Sequence, residues 1–252
     1  MSPIVLAVLW MSGALLSFLT MALSGRELSA EISLFQIVFL RNLVCMIILC
    51  VLLTRYGWEL TRTERLARHV GRNVVHFAAQ YGWFYAVASI PIATVFAIEF
   101  TAPIWTVLLA SLFLGERINR ARVAAIVLGF AGVLLILRPG TEGIHPAALS
   151  ALGAALGYAT TYVVTKNLVA TERPLTILFW MNLVQLPLGL VPSIPLWVTP
   201  SPALWPWVLA VGVAGLTSHY CLTRALAHAD ASVVVPLDFL RLPLAAVVAW
   251  ML

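Results

Sequence analysis

IATVFAIEFTAPIWTVLLASLFLGE, Ile92–Glu116, is an apolar run long enough to cross a bilayer, and it carries one carboxylate, Glu99, and one helix-breaking proline, Pro103. A charged side chain at the bilayer centre costs about 2.5–3.5 kcal/mol on insertion scales, so a chain keeps one where it faces protein or a water-filled cavity. Glu99 is therefore expected inside a helical bundle, beside a cavity. The same design returns at Ala231–Leu252, ASVVVPLDFLRLPLAAVVAWML, where Asp238 and Pro243 echo Glu99 and Pro103, and Ala231-Ser232 echoes Ala93-Thr94. The second copy is slightly longer between the small pair and the proline, so the two acids match in depth without being strictly equivalent. Two copies of one unit are expected.

Composition agrees. Of 252 residues, 62% are hydrophobic and 10% charged, against about 25% charged in an ordinary soluble domain. This is the composition of an all-α integral membrane protein lying in a lipid bilayer. The first apolar segment, Pro3–Leu23, has no Lys or Arg before it and exceeds a cleavable signal core, so it reads as a retained helix. The net charge of +5 falls in short loops between apolar segments, where it sets topology and gives no reason to expect nucleic acid as a partner. Cys45, Cys50 and Cys221 lie inside apolar segments without metal-ligand spacing, and the histidines form no zinc motif. Glycine-rich phosphate loops are absent too, so no cofactor and no metal are expected.

Apolar runs place nine spans at roughly 3–23, 32–53, 73–89, 95–114, 123–137, 147–166, 175–197, 207–228 and 231–252. With the N-terminus cytoplasmic, Arg55, Arg62, Arg65, Arg68, Arg72, Arg117, Arg120, Arg122, Lys166, Arg173 and Arg224 fall on the inner side. Arg26 and Arg138 fall outside, and Arg41 and Arg241 lie within the membrane. The loop Arg138–Pro146, RPGTEGIHP, divides the chain into units 1–137 and 147–252. Five helices in the first unit force the second, with four, to insert upside down. Inverted repeats of this kind build a substrate site near mid-membrane at their mutual interface.

Several residues are candidates to line that site. Arg41, central in the second span, needs an acidic or carbonyl partner, and Glu99 is the candidate from its own half, as a structural ion pair or as a coupling and substrate group. His76 and Gln80 share one face of the third span, backed by Trp83 and Phe84; they would hold a planar or cationic metabolite, or merely join helices. Tyr158, Thr161 and Tyr162, then Asn182 and Gln185, then His219 and Tyr220 form the corresponding polar set of the second half. Asp238 and Arg241, three apart, can pair on one helix, flanked by Pro236 and Pro243, whose freed carbonyls are tolerated facing protein or a cavity. Gly129, Gly132, Gly153 and Gly157 read as close helix contacts. The function expected is secondary active transport of a small polar or amphipathic metabolite by alternating access, proton-coupled or by exchange. A membrane enzyme or a non-transporting scaffold is the alternative, although no catalytic motif and no soluble domain is found.

Pro103 leading into LFLGERINR (Leu112–Arg120), GFAGVLLILRPG (Gly129–Gly140), DFLRLPLAA (Asp238–Ala246) and FLRNLV (Phe39–Val44) resemble the drug/metabolite transporter superfamily, EamA type. The resemblance spans the whole chain. It implies ten helices as two inverted repeats of five, a bacterial inner membrane, and substrates such as adenosylmethionine, riboflavin or amino acids. In that family the fifth and tenth helices are peripheral and associated with dimer contacts, so a homodimer is an expected partner. Against that pattern the tenth helix is missing from this sequence, so the resemblance implies either a truncated product or a variant whose last helix is lost or supplied elsewhere, with a lipid-facing gap expected beside helices six to nine.

Overall fold

A computed structural model describes residues 2–120, 123–124, 126–128, 131 and 145–241. Its long helices are α1 (Pro3–Leu28), α2 (Leu34–Tyr56), α3 (Leu66–Ser89), α6 (Pro146–Leu168), α7 (Pro174–Ser193) and α8 (Trp205–His228). The Ile92–Glu116 stretch forms two helices, α4 (Ile92–Glu99) and α5 (Ala102–Leu114). The last described segment is one turn, α9 (Ala231–Val234), running into a 3-10 turn, Val235–Leu240. Among the described residues, five helical stretches are long and apolar enough to cross a membrane: Pro3–Leu28, Leu34–Tyr56, Ile92–Leu114, Pro146–Leu168 and Pro174–Leu196. Helices α3 and α8 are as long but more polar, and their polar residues His69, Asn73, His76, Gln80, Ser218 and His219 are buried. Outward-facing Leu9, Leu16, Ile47, Val51, Leu112, Phe113, Leu152 and Val213 are exposed, an arrangement that matches hydrocarbon outside and polar groups within.

Local chemistry explains the helix ends. The Ser2 and Ser33 side chains accept from Val5 and Gln36 N–H at the starts of α1 and α2. Pro146 and Pro174 open α6 and α7, where a missing N–H costs nothing. The ends of α3 and α8 are each held by a long cation. Arg26 of α1 donates to the carbonyls of Val87, at 3.0 and 2.8 Å, and of Ile90. Lys166 of α6 donates to Leu226 and Ala229 at 2.9 and 2.8 Å.

The chief packing partners are α1 with α8, α3 with α6, and α2 with α7, with α5 against α6 and α2 against α8. Close approach rests on small residues: a Cβ on Gly157 would lie 2.7 Å from Ala79 Cβ, and one on Gly212 2.4 Å from Val44. Gly153 differs from expectation, with open space where a Cβ would sit. Gly129, Gly132, Arg138 and Pro243, most of the fifth expected span and the end of the ninth lie outside the described residues. Arg72 is also not a loop residue: α3 starts at Leu66, and the buried Arg72 donates to Thr165 Oγ1 at 2.7 Å and to Asn73 Oδ1 at 2.7 Å.

Candidate functional site

The break between α4 and α5 builds the first half of the site. Helix α4 stops at Glu99, the Thr101 hydroxyl donates to the Ile98 carbonyl at 2.9 Å, and Pro103 lies in the first turn of α5. Glu99 thus sits at a helix end inside the bundle, only 4% exposed. The second break, Val235–Leu240, carries Asp238 and ends against Arg241, and the two breaks meet. Arg241 Nη1 donates to Glu99 Oε2 at 2.9 Å, and its Nη2 reaches Glu99 Oε1 at 3.4 Å. Arg241 also donates through Nε to Asp238 Oδ1 at 3.2 Å and through Nη2 to Asp238 Oδ2. Trp83 Nε1 donates to Glu99 Oε2 at 2.9 Å. The guanidinium lies 4.9 Å from the ring centres of both Phe18 and Phe96, and Phe100 meets Phe239 at 5.2 Å. The planar, always-charged fork faces both carboxylates at once, and its hydrogen bonds offset part of the desolvation of the three ions.

A second cluster lies across α3. Arg41 is fully buried and donates through Nη1 to Asn42 Oδ1 at 2.9 Å and Gln80 Oε1 at 3.1 Å. The expected Arg41–Glu99 pair is not formed, because Arg241 reaches Glu99 from the facing break and Arg41 is held by neutral amides. Asn42 Nδ2 points to Gln185 Oε1 at 3.5 Å, and Gln185 Nε2 lies 2.7 Å from His76 Nδ1. The His76 ring meets His219 at 4.8 Å and Tyr158 at 5.6 Å, and Phe18 meets His219 at 5.9 Å. Phe18 therefore touches both clusters, and Gln80 and Trp83, three apart on α3, present one cluster each.

Twelve of the residues singled out from the sequence are buried: Arg41, His76, Gln80, Trp83, Glu99, Tyr158, Tyr162, Asn182, Gln185, His219, Asp238 and Arg241. They are not equally connected. Asn182 donates to Leu178 O in its own helix at 2.8 Å, Thr161 to Tyr158 O at 2.8 Å, and Tyr162 joins through stacking on Tyr158 at 6.4 Å. Tyr220 instead packs edge-on against Trp10 at 5.7 Å, a contact between α1 and α8. Sequence reasoning passed over Asn42, Phe18 and Phe96. The adjacent Arg-Asn pair was a usable signal for the first; nothing distinguishes the two phenylalanines from other apolar residues.

The EamA-like transporter family matches residues 5–138 and 145–252 of this chain. A riboflavin transporter of Rhizobium johnstonii is 34% identical over 99% of this chain and 84% of its own length. An S-adenosylmethionine uptake transporter of Rickettsia prowazekii is 28% identical over 94% of this chain and 81% of its own. A solved crystal structure superposes with a TM-score of 0.80 at 20% identity, covering 97% of this chain and 87% of that one, a likeness of fold.

Proposed function

The chain belongs to the EamA-like transporter family, and from that membership we propose that it is a secondary transporter carrying a small polar or amphipathic metabolite across a bacterial inner membrane by alternating access. The observation that carries this reading is the meeting of the two broken segments, where Arg241, Glu99, Asp238 and Trp83 form one buried network. Discontinuous helices that face each other at the interface of two repeats are where transporters of this build hold substrate and coupling ions.

We take the repeats to be 1–137 and 147–252, in nine spans. Exchanging the halves turns the α1–α8 contact into α6–α3 and leaves α2–α7 unchanged, and these are the main packing pairs. It also turns the Arg26 clasp on the end of α3 into the Lys166 clasp on the end of α8. Orientation follows the basic residues. Arg55, Arg62, Arg65, Arg68, Arg120, Lys166 and Arg173 belong to one end of the bundle, which is assigned to the cytoplasm with the N-terminus.

The substrate class is drawn from the relatives, so the test uses their compounds. Purified protein in proteoliposomes is assayed for uptake and counterflow of radiolabelled S-adenosylmethionine and riboflavin, with and without a proton gradient. Movement of at least one, saturable and strongly reduced by Glu99→Gln, supports the proposal; loss of proton dependence in that variant assigns coupling to Glu99. Absence of transport of both compounds, in protein that melts cooperatively, favours a non-transporting scaffold.

A further inference from the structure

The two interior clusters differ in one respect. Arg241 has two carboxylates, whereas Arg41, fully buried, has no carboxylate among the described residues. Its Nε and Nη2 have no hydrogen-bond partner among the described residues, nor do Gln80 Nε2 and His76 Nε2 beside it. Three of these four unspent atoms are obligate donors, and the imidazole nitrogen becomes one in the tautomer that leaves Nδ1 to accept from Gln185. Cys45, one turn along α2, gives its thiol proton to the Gly212 carbonyl at 3.1 Å and offers Arg41 no counter-ion. A guanidinium buried without an anion costs several kcal/mol, and leaving part of its fork unused forfeits the compensation that hydrogen bonds would supply.

A cleft at one end of the bundle approaches this cluster along α2. Arg41, Cys45 and Leu49 form one stripe of α2, and Leu49 closes against Leu178 and Leu216 in a small apolar cluster separate from the main core. On the far side of those leucines lies a cleft of about 770 Å³ between α1, α2, α7 and α8, whose wall includes Arg173 and Arg224. The cleft, with two arginines in its wall, ends at Leu49, Leu178 and Leu216, and these leucines also pack with Cys45, one turn of α2 from the unsatisfied guanidinium. Gly215 leaves the room Arg41 occupies, since a Cβ there would fall 2.5 Å from Arg41 Nε.

We propose that Arg41, with Gln80 and His76 as supporting donors, is a carboxylate-binding subsite, so that the transported compound carries a carboxylate that enters past Leu49, Leu178 and Leu216 from the basic end. The inference rests on the transporter reading and narrows its substrate class. A carboxylate supplies the missing counter-ion and accepts two of the fork's unspent N–H groups in one bidentate pair, whereas a neutral carbonyl accepts hydrogen bonds but brings no charge.

The test uses purified full-length chain and matched probe pairs: S-adenosylmethionine against its carboxyl methyl ester, L-phenylalanine against its amide, and nicotinate against nicotinamide. Thermal stabilisation is read for each, and counterflow in proteoliposomes is read for the acids and for riboflavin. Stabilisation by at least one acid and not by its neutral partner is expected, weakened on the order of 10–100-fold in Arg41→Gln and less in Arg41→Lys. Because the Arg41 charge is uncompensated in the empty protein, Arg41→Gln should melt no lower than the parent; a residue serving only structure would lower the melting temperature. Equal stabilisation by acid and neutral partner, undiminished binding in Arg41→Gln, or a marked loss of stability in that variant overturns the subsite. Transport of riboflavin with no response to any acid also overturns it while leaving the transporter reading standing. Movement of none of these compounds overturns the transporter reading itself.

Discussion

Glu99 and Arg241 should be energetically coupled, and Glu99 and Arg41 should not. The perturbation is Glu99→Gln, which keeps an acceptor for Trp83 Nε1 and removes the charge facing Arg241, alone and combined with Arg241→Met. Glu99 meets Arg241 at 2.9 Å with both side chains almost wholly buried, so solvent does not screen the pair. Hydrogen bonds to charged groups contribute a net of about 1.5–3 kcal/mol, and removing one partner of a buried pair costs about 3–5 kcal/mol. Asp238 stays with Arg241 in the single variant, which places the Glu99→Gln loss at the lower of these ranges, about 1.5–3 kcal/mol. Arg241→Met leaves two carboxylates facing each other and should cost more, about 3–5 kcal/mol. The double variant should then be more stable than the sum of the single losses predicts, by a coupling of about 1.5–3 kcal/mol. The parallel cycle with Arg41→Gln should add within about 0.5 kcal/mol, since Arg41 and Glu99 share no hydrogen-bond partner. The assay is reversible unfolding in detergent micelles. A coupling that follows Arg41 instead of Arg241 would refute the pairing.

Gly25→Ala should destabilise by about 1–3 kcal/mol, because its Cβ would fall 2.3 Å from the buried Phe84 ring, whereas Gly153→Ala meets nothing and should be neutral or gain up to about 1 kcal/mol; the same unfolding assay reads both. Lys166→Met and Arg26→Met should each cost about 1–3 kcal/mol by freeing two carbonyls at a helix end. A much larger loss in one than in the other would speak against the equivalence of the two halves. In a cysteine-free background, single cysteines at Arg62 and Arg120 should react with a membrane-impermeant maleimide only from the cytoplasmic side, and one at Glu27 only from outside; the reverse pattern would invert the topology.

The membrane class, the break at Pro103 and the burial of the polar residues were legible because each follows from local physics. Hydrocarbon admits no unpaired charge, proline removes a helix bond, and residues four apart share a face. The partner of Glu99 was not legible. Pairing across the bundle depends on which broken segment meets which, and periodicity along one helix carries no such information, so the sequence points to Arg41, from the same half, and leaves Arg241 with Asp238. The start of α3 was read too late for a related reason. His69 and Arg72 look like loop residues by hydropathy, yet they are buried because α6 and the loop after it supply Thr165 and Glu172 as partners. Gly153 and Gly157 both follow Ala-Leu one turn apart in the same helix, and packing separates the open position from the close contact.

The most direct test of alternating access is two-sided accessibility at the site itself. Gln80→Cys, in a background with Cys45, Cys50 and Cys221 replaced, puts a thiol beside Arg41 at a position only 1% exposed. In oriented proteoliposomes it should react with a membrane-impermeant methanethiosulfonate from the cytoplasmic side and, in separate vesicles, from the external side, with added substrate shifting the balance between the two rates. A thiol that reacts from one side only, or from neither while the liposomes still transport, would contradict a site that opens alternately to both faces of the membrane.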